Sequence, residues 1–508
     1  MSVSVRKRFI YSIGANAVRS ACGFLTGLLL ARWLGPSRYG NLAFLLTSLS
    51  ALPQMIDSGS SSAFFTFLSQ RQRSRRFVRS YLTWLAAQVL IPLVVVGFLF
   101  PGGWIHVIWQ GERRDLVLLA IAAVFLQSGA WPVIQQAGES QRRTIMVQTV
   151  TVALAAAHLG AVSLLQALGI LSIRSILCMI AVEHVLAIAL TQGFYRYPAA
   201  GTESDEAAEP GFSQYLTYCL PFALYTATGF VYVFADTWLL QYFGGGVQQA
   251  YYAVGSQLSN LVVLATTSTL RIFWKEIAEA HFKGDREREA RLYRKISRLL
   301  FLLGAAVAGF LAPWSEHILR LTLGAAYTGG ALTFVFMCLY SVHQSMGQIC
   351  GTMLYATERT ALHVRIGMVF MIVSIAATYF VLAPASARLP GLGLGSSGLA
   401  IKMVVLQIIQ VNVMAFVIAR VSGWKFDWTY QPSSLAAFAG LGWISHQIVA
   451  GATAAAPIPV ALALGGLVYG AFAAGLVWIV PGLAGFDEGE LGAMVRTMPS
   501  ALAARLAS

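Results

Sequence analysis

The amino-acid sequence predicts an all-α protein that crosses a membrane many times. Of its 508 residues, 57% are hydrophobic and only 11% are charged, whereas soluble proteins carry about 25% charged residues. Together with a mean hydropathy of +0.67, this composition excludes a secreted enzyme, a nucleic-acid-binding protein and a disordered scaffold. The net charge of +14 does not indicate nucleic acid, because Lys and Arg concentrate in the cytoplasmic loops of membrane proteins.

Apolar segments of about 20 residues, each able to cross a hydrocarbon layer of about 30 Å, recur along the chain. They predict about fourteen transmembrane helices, at residues 9–31, 41–66, 81–100, 115–137, 146–168, 173–194, 213–243, 248–271, 298–319, 330–355, 361–383, 396–420, 433–455 and 458–482. The first segment follows Arg6, Lys7 and Arg8 but is too long for a signal peptide, so we expect it to be the first transmembrane helix.

Basic residues predict the orientation in the membrane. With an even number of spans both termini lie on one side, and the outer loops of the preferred orientation hold few of the 35 Lys and Arg residues. Those few are Arg32, Arg38, Arg113, Arg114, Arg174, Arg320 and Arg388. The positive-inside rule therefore predicts two cytoplasmic termini.

Polar segments predict the domain organisation. The sequence GTESDEAAEP at 201–210 indicates a cytoplasmic linker over 196–212, between an N-terminal six-helix lobe at 1–195 and a C-terminal six-helix lobe at 213–432. Residues 433–508 then hold helices 13 and 14 and a cytoplasmic tail. We expect the two lobes to surround a central cavity.

A weak internal repeat supports two related lobes. Gly35 follows the first helix of one lobe, and the glycines at 244–246 follow the first helix of the other. In addition, an Ala-x-Glu sequence ends helix 4 at Glu139 and helix 10 at Glu358. Repeats separated by six helices keep the same orientation in the membrane.

Motifs for soluble chemistry do not occur in the sequence. It contains no GxxxxGK[ST] phosphate loop, and the GxGxxG match at 393–398 follows no predicted strand, so close helix packing explains it. The eight histidines form no metal-ligand pair at i and i+4, and the five cysteines are scattered through apolar stretches. We therefore expect no enzymatic activity, no metal and no cofactor.

Charged residues inside the predicted spans indicate a functional site, because each is costly in hydrocarbon. Arg19 lies near the middle of helix 1, on one face with Asn16, and Asp57 lies at a similar depth in helix 2. The guanidinium of Arg19 either lines an aqueous cavity or pairs locally, with Asp57 as the plausible partner. Lys402 in helix 12 either has a role in the membrane or extends to its surface.

Polar and aromatic side chains repeat at helical spacing on several helices and predict the lining of the cavity. The predicted residues are Asn16, Arg19, Gln54, Asp57, Tyr225, Tyr232, Asp236, Gln257, Asn260, Arg271 and Gln344. The tyrosines alone are equally typical of packing. Arginine binds phosphate oxygens, amides bind hydroxyls and aromatic rings stack on sugars, so this set suits a ligand that combines phosphate with sugar.

The sequence ARWLGPSRYGNLA at 31–43, together with Asn16 and the Ile-Asp-Ser-Gly sequence at 56–59, resembles the opening of bacterial O-antigen and polysaccharide flippases. These flippases belong to the multidrug/oligosaccharidyl-lipid/polysaccharide exporter superfamily. The twelve-plus-two helix pattern, Asp236 and the Ala-x-Glu helix ends are similar too. The resemblance implies a V-shaped fold of two lobes that moves a polyprenyl-diphosphate-linked oligosaccharide across the cytoplasmic membrane by alternating access. It also implies that Arg19 meets the diphosphate.

Two other functions stay open at this point. One is a cation-coupled drug exporter of the same superfamily, and the other is a membrane glycosyltransferase or polysaccharide polymerase, which usually needs a larger outer loop than residues 101–114. Asp57, Glu183 and Asp236 are candidates for proton coupling, or else form permanent ion pairs. Expected partners are the lipid-linked substrate, membrane lipids and enzymes of the same pathway, namely a polymerase and glycosyltransferases, but no nucleic acid.

Overall fold

The computed structural model describes residues 5–70, 75–192, 212–453 and 456–486. Within these ranges a few side chains, including that of Arg271, are outside the description. Nearly all of the predicted linker at 196–212 and the end of the predicted tail also lie outside the described residues. Every regular element in the described ranges is helical.

Seventeen α-helices occur in the described ranges: α1 (Val5–Ser50), α2 (Leu52–Asp57), α3 (Ser60–Gln70), α4 (Arg75–Val94), α5 (Gly102–Ile108), α6 (Arg114–Val124), α7 (Trp131–Ser140), α8 (Thr144–Ala167), α9 (Ile173–Gln192), α10 (Phe212–Phe282), α11 (Arg286–Leu311), α12 (Ser315–Leu323), α13 (Ala331–Ala356), α14 (Thr360–Leu382), α15 (Gly395–Ser422), α16 (Tyr430–Ala452) and α17 (Ile458–Ile479). Short π-helical turns at Val95–Leu99 and Phe125–Ala130 follow α4 and α6.

The helices confirm an all-α, multi-pass membrane protein. In the described part of the chain, ten helical segments are long and apolar enough to cross a membrane, and an eleventh is added if α11 and α12, which are bent by 74°, form one span. The predicted count of fourteen is not confirmed. One of the ten segments, Tyr11–Asp57, has 47 residues, or about 70 Å of helix, which is more than twice the thickness of the hydrocarbon layer.

The chain divides into two compact units, which we call unit 1 (residues 1–250 and 378–395) and unit 2 (residues 251–377 and 396–508). In unit 1, α1 packs along α8, α6 along α9 and α3 against α7. In unit 2, α11 packs against α13 and α16, and α16 against α17. The lobe boundaries given by the sequence stay a prediction.

Apolar and aromatic side chains fill the core of each unit. In unit 1 the buried rings of Phe64 and Tyr81 stack with centroids 4.0 Å apart, beside Trp131 and Ile134. In unit 2, Phe273 of α10, Ile349 of α13 and Val411 of α15 belong to one buried cluster. These clusters hold the helices that carry the polar residues of each unit.

Two glycine junctions break the long helices at the positions that the internal repeat pairs. Gly35 in α1 has φ 72 and ψ 167, and Gly245 in α10 has φ 68 and ψ −174. Positive φ favours glycine, since it has no Cβ. Nearby, the backbones of Gly40 and Gly246 touch: a Cβ on Gly40 would lie 1.6 Å from the Gly246 carbonyl oxygen. The Asn41 side chain accepts a hydrogen bond from Gln241 at 3.0 Å beside this contact.

The second sign of an internal repeat, the Ala-x-Glu helix ends, lies at a turn in both lobes, but the glutamate has a different position in each turn. α7 and α13 are each followed by a residue in the left-handed conformation, Arg142 (φ 61) and Glu358 (φ 61). α8 and α14 begin two residues later, at Thr144 and Thr360. The two glutamates of the Ala-x-Glu sequences differ in position: Glu139 lies three residues before the left-handed residue of the first turn, and Glu358 is the left-handed residue of the second. The internal repeat stays a prediction.

The predicted second helix, 41–66, is broken in the structure. α1 ends at Ser50, α2 ends at Asp57, and Ser58 (φ 45) and Gly59 (φ 86) separate α2 from α3. The break places backbone groups and polar side chains inside a predicted span, where each needs a hydrogen-bond partner.

The segment between the predicted spans at 248–271 and 298–319 is mostly helical. α10 continues to Phe282 and α11 begins at Arg286, so the two helices form a hairpin. Asp285 caps α11 by accepting a hydrogen bond from the Arg288 backbone N–H at 2.9 Å. The predicted spans at 248–271 and 298–319 left this segment outside the membrane, but hydropathy does not distinguish a solvated loop from solvated helix ends.

We expect Gly40→Ala to lower the free energy of unfolding by about 1–3 kcal/mol or more, because the new methyl group overlaps the backbone of Gly246. Gly14→Ala, also in α1, is the matched control, since a Cβ there meets nothing within 4 Å. Abundance in the membrane and the thermal unfolding midpoint in detergent measure the difference. Equal midpoints for the two variants would contradict the close backbone contact.

Candidate functional site

The predicted site residues are divided between the two units. Unit 1 holds Asn16, Arg19, Gln54, Asp57, Glu183, Tyr225, Tyr232 and Asp236, and unit 2 holds Gln257, Asn260, Arg271 and Gln344. The Arg271 side chain lies outside the described part of the chain. A single cavity lined by all of them stays a prediction, and each unit is considered by itself below.

Arg19 is exposed on α1 and has no ion pair or hydrogen bond with any described residue. The same helix packs on α8, where the Tyr11 hydroxyl and Thr149 Oγ1 are 2.7 Å apart and Ala15 is buried. Asn16, beside that packed face, is half-buried. The five guanidinium N–H donors of Arg19 are therefore available to a ligand.

Asp57 binds the beginning of α3 rather than Arg19. Its carboxylate accepts hydrogen bonds from Ser60 Oγ at 2.6 Å, from the Ser61 backbone N–H at 3.0 Å and from Ser61 Oγ at 2.7 Å. These bonds cap a helix whose first N–H groups otherwise lack partners, and the negative charge lies at the positive end of the helix dipole. Local pairing with Asp57 therefore does not explain Arg19.

α4 completes a cluster around this helix break, which we call the Asp57 network (Asp57, Ser60, Ser61, Tyr81, Trp84 and Gln88). Trp84 Nε1 donates to Ser60 Oγ at 3.1 Å, and Gln88 Nε2 lies 3.4 Å from both Ser60 Oγ and Asp57 Oδ1. The Tyr81 hydroxyl is 3.5 Å from Asp57. Broken helices with polar clusters are typical of binding sites in transporters.

The contribution of α4 was not predicted from the sequence, although a signal was present. Residues 81, 84 and 88 follow the three-to-four-residue spacing of one helix face. Their polar atoms all point to the same helix break, and Gln88 is only 1% exposed. Gln54, on the other hand, is exposed on α2.

Glu183 forms a pair with a histidine that the sequence analysis did not predict. His158 Nδ1 of α8 lies 2.7 Å from Glu183 Oε2 of α9, and both side chains are largely buried. The neighbouring His184 lies within hydrogen-bonding distance of its own helix, with Nδ1 2.8 Å from the Ile180 carbonyl oxygen. A carboxylate and an imidazole in direct contact can share or exchange a proton.

Asp236 is buried in unit 1, where its carboxylate accepts a hydrogen bond from Thr378 Oγ1. Asp236 is 7% exposed and Thr378 is fully buried. The two residues are far apart in sequence, and nothing in the sequence identifies this contact. Tyr225 and Tyr232, on the same helix as Asp236, are half-buried.

Several polar side chains of unit 2 form hydrogen bonds with one another. Gln344 Oε1 accepts a hydrogen bond from Gln407 at 3.0 Å. Lys402 is buried and donates to Ser374 Oγ at 2.9 Å, so the interpretation that it extends to the membrane surface is wrong. Asn412 and Gln431 exchange two hydrogen bonds, at 3.2 and 3.1 Å. Gln257 is half-buried and Asn260 is exposed.

The family is shown by comparison with known sequences. Residues 29–332, more than half of the chain, match the family described as polysaccharide biosynthesis protein. The chain belongs to this family. No curated protein shows significant sequence similarity to this chain.

Solved structures show the fold. The inward closed conformation of the lipid II flippase MurJ is similar with a TM-score of 0.68 and 13% identity, over 93% of this chain and 99% of that one. An inward-facing multidrug resistance MATE transporter of the MOP superfamily is similar with a TM-score of 0.58 and 14% identity, over 81% of this chain and 99% of that one. A Vibrio cholerae MATE transporter has a TM-score of 0.53 and 14% identity, over 82% and 96% of the two chains.

We expect Asp57→Ala to destabilise this polysaccharide biosynthesis family member by about 1 kcal/mol, because α3 loses its cap. Asp57→Asn keeps one oxygen acceptor and should lose much less. Gln54→Ala is the control, since this exposed side chain of α2 takes no part in the cap. Thermal unfolding in detergent measures all three variants, and an Asp57→Ala midpoint equal to that of wild type would show that the cap does not stabilise α3.

Proposed function

We propose that this protein is a flippase that moves a polyprenyl-diphosphate-linked oligosaccharide from the inner to the outer leaflet of the bacterial cytoplasmic membrane. It works by alternating access, in the biosynthesis of a surface polysaccharide such as O-antigen. The observation that carries the proposal is membership of the polysaccharide biosynthesis protein family in a chain whose fold is similar, over 93% of its length, to a protein named as a lipid II flippase.

Arg19 is the proposed ligand of the diphosphate. A guanidinium inside a membrane span is costly unless an anion or water compensates it. Arg19 is exposed and has no partner among the described residues, while Asp57 is engaged by the α3 cap. A diphosphate presents several oxygens to the planar, bidentate donor set of arginine.

The proposed cavity also contains the amide and tyrosine residues of the sequence prediction. Asn16, Gln54, Gln257, Asn260 and Gln344 suit sugar hydroxyls, and the two tyrosines suit sugar rings. The distribution of basic residues supports the proposal that both termini lie in the cytoplasm. A polymerase and glycosyltransferases of the same pathway are the proposed partners, and the protein itself carries out transport rather than catalysis.

A drug exporter is the second candidate, since MATE transporters share the fold over 81–82% of this chain. Such an exporter needs acidic groups that are open to organic cations. In unit 1 the Glu183 carboxylate is bound to His158 and the Asp236 carboxylate to Thr378, whereas Arg19, the cation among the predicted site residues of this unit, is exposed. This arrangement favours an anionic substrate.

We expect Arg19→Ala to abolish translocation of a fluorescent polyprenyl-diphosphate disaccharide in proteoliposomes and Arg19→Lys to retain part of it, because lysine keeps the charge but loses the bidentate geometry. Accessibility of the sugar to an external glycosidase measures translocation. Arg38→Ala, an exposed arginine beyond the Gly35 break, is the control and should behave as wild type.

The double variant Arg19→Ala, Asp57→Asn separates ligand binding from local charge balance. Recovery of transport in the double variant would mean that Arg19 serves only to neutralise Asp57, and the diphosphate assignment would fail. The same vesicles test the rival functions: export of an organic cation without movement of the lipid would support the drug exporter, and elongation of the glycan would support a glycosyltransferase.

We further propose that a proton or cation gradient, or the membrane potential, drives return of the empty carrier, with Asp57, Glu183 and Asp236 as candidate coupling groups. An imposed pH gradient or potential should change the rate of translocation several-fold, and neutralising the coupling carboxylate (Asp57→Asn, Glu183→Gln or Asp236→Asn) should remove that dependence. If the translocation rate in wild-type vesicles changes with neither the pH gradient nor the membrane potential, the coupling proposal fails and these carboxylates form permanent structural pairs.

A further inference from the structure

Unit 2 contains a cavity whose lining includes none of the residues proposed above for transport. Its volume is about 440 Å³, within the range of about 300–1,000 Å³ that is usual for small-molecule sites. α11, α13, α15, the loop at 423–429 and the start of α16 form its walls. The cavity therefore lies where three long helices of this unit begin or end.

Arg298, which lines the cavity, has a structural role. Arg298 donates to the Asp427 carboxylate at 2.7 Å and to the Gly482 carbonyl oxygen at 2.9 Å, and its guanidinium lies 4.7 Å from the centre of the Tyr430 ring. Burial raises the pKa of Asp427, but hydrogen bonds from Thr429 and Arg298 outweigh burial, so this pKa is lower than usual. The charge of Arg298 is therefore balanced within the protein.

Two further cations of the cavity are not balanced in this way. Arg294 lies one helical turn before Arg298 on α11, and Lys425 lies in the loop after α15; both are exposed lining residues. Neither makes an ion pair or hydrogen bond with a described residue. With Asp427 already bound to Arg298, the lining presents two free positive charges, which suit a phosphate group.

The other walls of the cavity are aromatic and aliphatic. The rings of Tyr293 and Trp424 lie 5.6 Å apart, and Met346, Ala415 and Ala419 line the interior. Trp428, in the same loop, is 62% exposed. Tryptophan is enriched at the level of lipid head groups, and the predicted orientation places this end of unit 2 at the cytoplasmic surface.

From this combination we propose that the cavity binds the phosphate of an anionic phospholipid, with Arg294 and Lys425 as its ligands and the glycerol and first acyl carbons against Trp424 and Tyr293. The ligand chemistry, an anionic phosphate, is shared with free phosphates. The aromatic and aliphatic walls favour the lipid, because a free phosphate leaves them without a partner. This inference does not rest on the proposed flippase activity.

The test uses the full-length protein and native mass spectrometry with three probes: phosphatidylglycerol, phosphatidylcholine with the same acyl chains, and inorganic pyrophosphate. We expect wild-type protein to bind phosphatidylglycerol at least about tenfold more tightly than phosphatidylcholine, and the variant Arg294→Ala, Lys425→Ala to lose this preference. The single variant Lys425→Gln should lose part of it.

The control is Lys283→Ala, Arg291→Ala, which removes the same charge from surface ion pairs with Glu279 and Glu287. This control should keep the lipid preference, and equal unfolding midpoints show that all variants are folded. Retention of the preference in the Arg294→Ala, Lys425→Ala variant, or equal binding of the two lipids by wild type, would overturn the proposal. Pyrophosphate that binds as tightly as phosphatidylglycerol and displaces it would assign the cavity to a free phosphate instead.

Discussion

A charge inside the hydrocarbon layer needs a partner, and this constraint accounts for the contacts of four charged residues in the predicted spans. Glu183 has His158, Asp236 has Thr378, Lys402 has Ser374, and Asp57 has the first residues of α3. Each of these four contacts lies within one unit. Arg19 differs from all of these residues, because it is exposed and unpaired among the described residues.

The second constraint is the close approach of two backbones at the glycine junctions. Gly35 and Gly245 allow both long helices to turn with nearly the same φ and ψ, and Gly40 and Gly246 then touch without side chains between them. The same conformation at two positions that the sequence pairs is physical support for an internal repeat. It also places Asn41 and Gln241 in hydrogen-bonding contact.

Composition and hydropathy sufficed to predict the fold class. Long apolar segments in a chain with so few charges belong in a membrane, where a helix satisfies all backbone hydrogen bonds within the segment. They did not reveal the break at Ser58, because a left-handed residue interrupts hydrogen bonding without changing the hydropathy of residues 41–66. Helical periodicity identified Arg19 and Asp57 as polar residues of their helices. It could not identify partners such as His158 or Thr378, because spacing defines a face but not the helix that lies opposite.

The central claim is that Arg19 recognises a diphosphate. The most direct test is the affinity of the purified protein for polyprenyl diphosphate compared with polyprenyl monophosphate, measured for wild type, Arg19→Lys and Arg19→Ala. The account predicts that wild type prefers the diphosphate by about tenfold or more, that lysine keeps part of this preference and that alanine loses it. An unchanged preference in Arg19→Ala would contradict the assignment of Arg19 to the substrate.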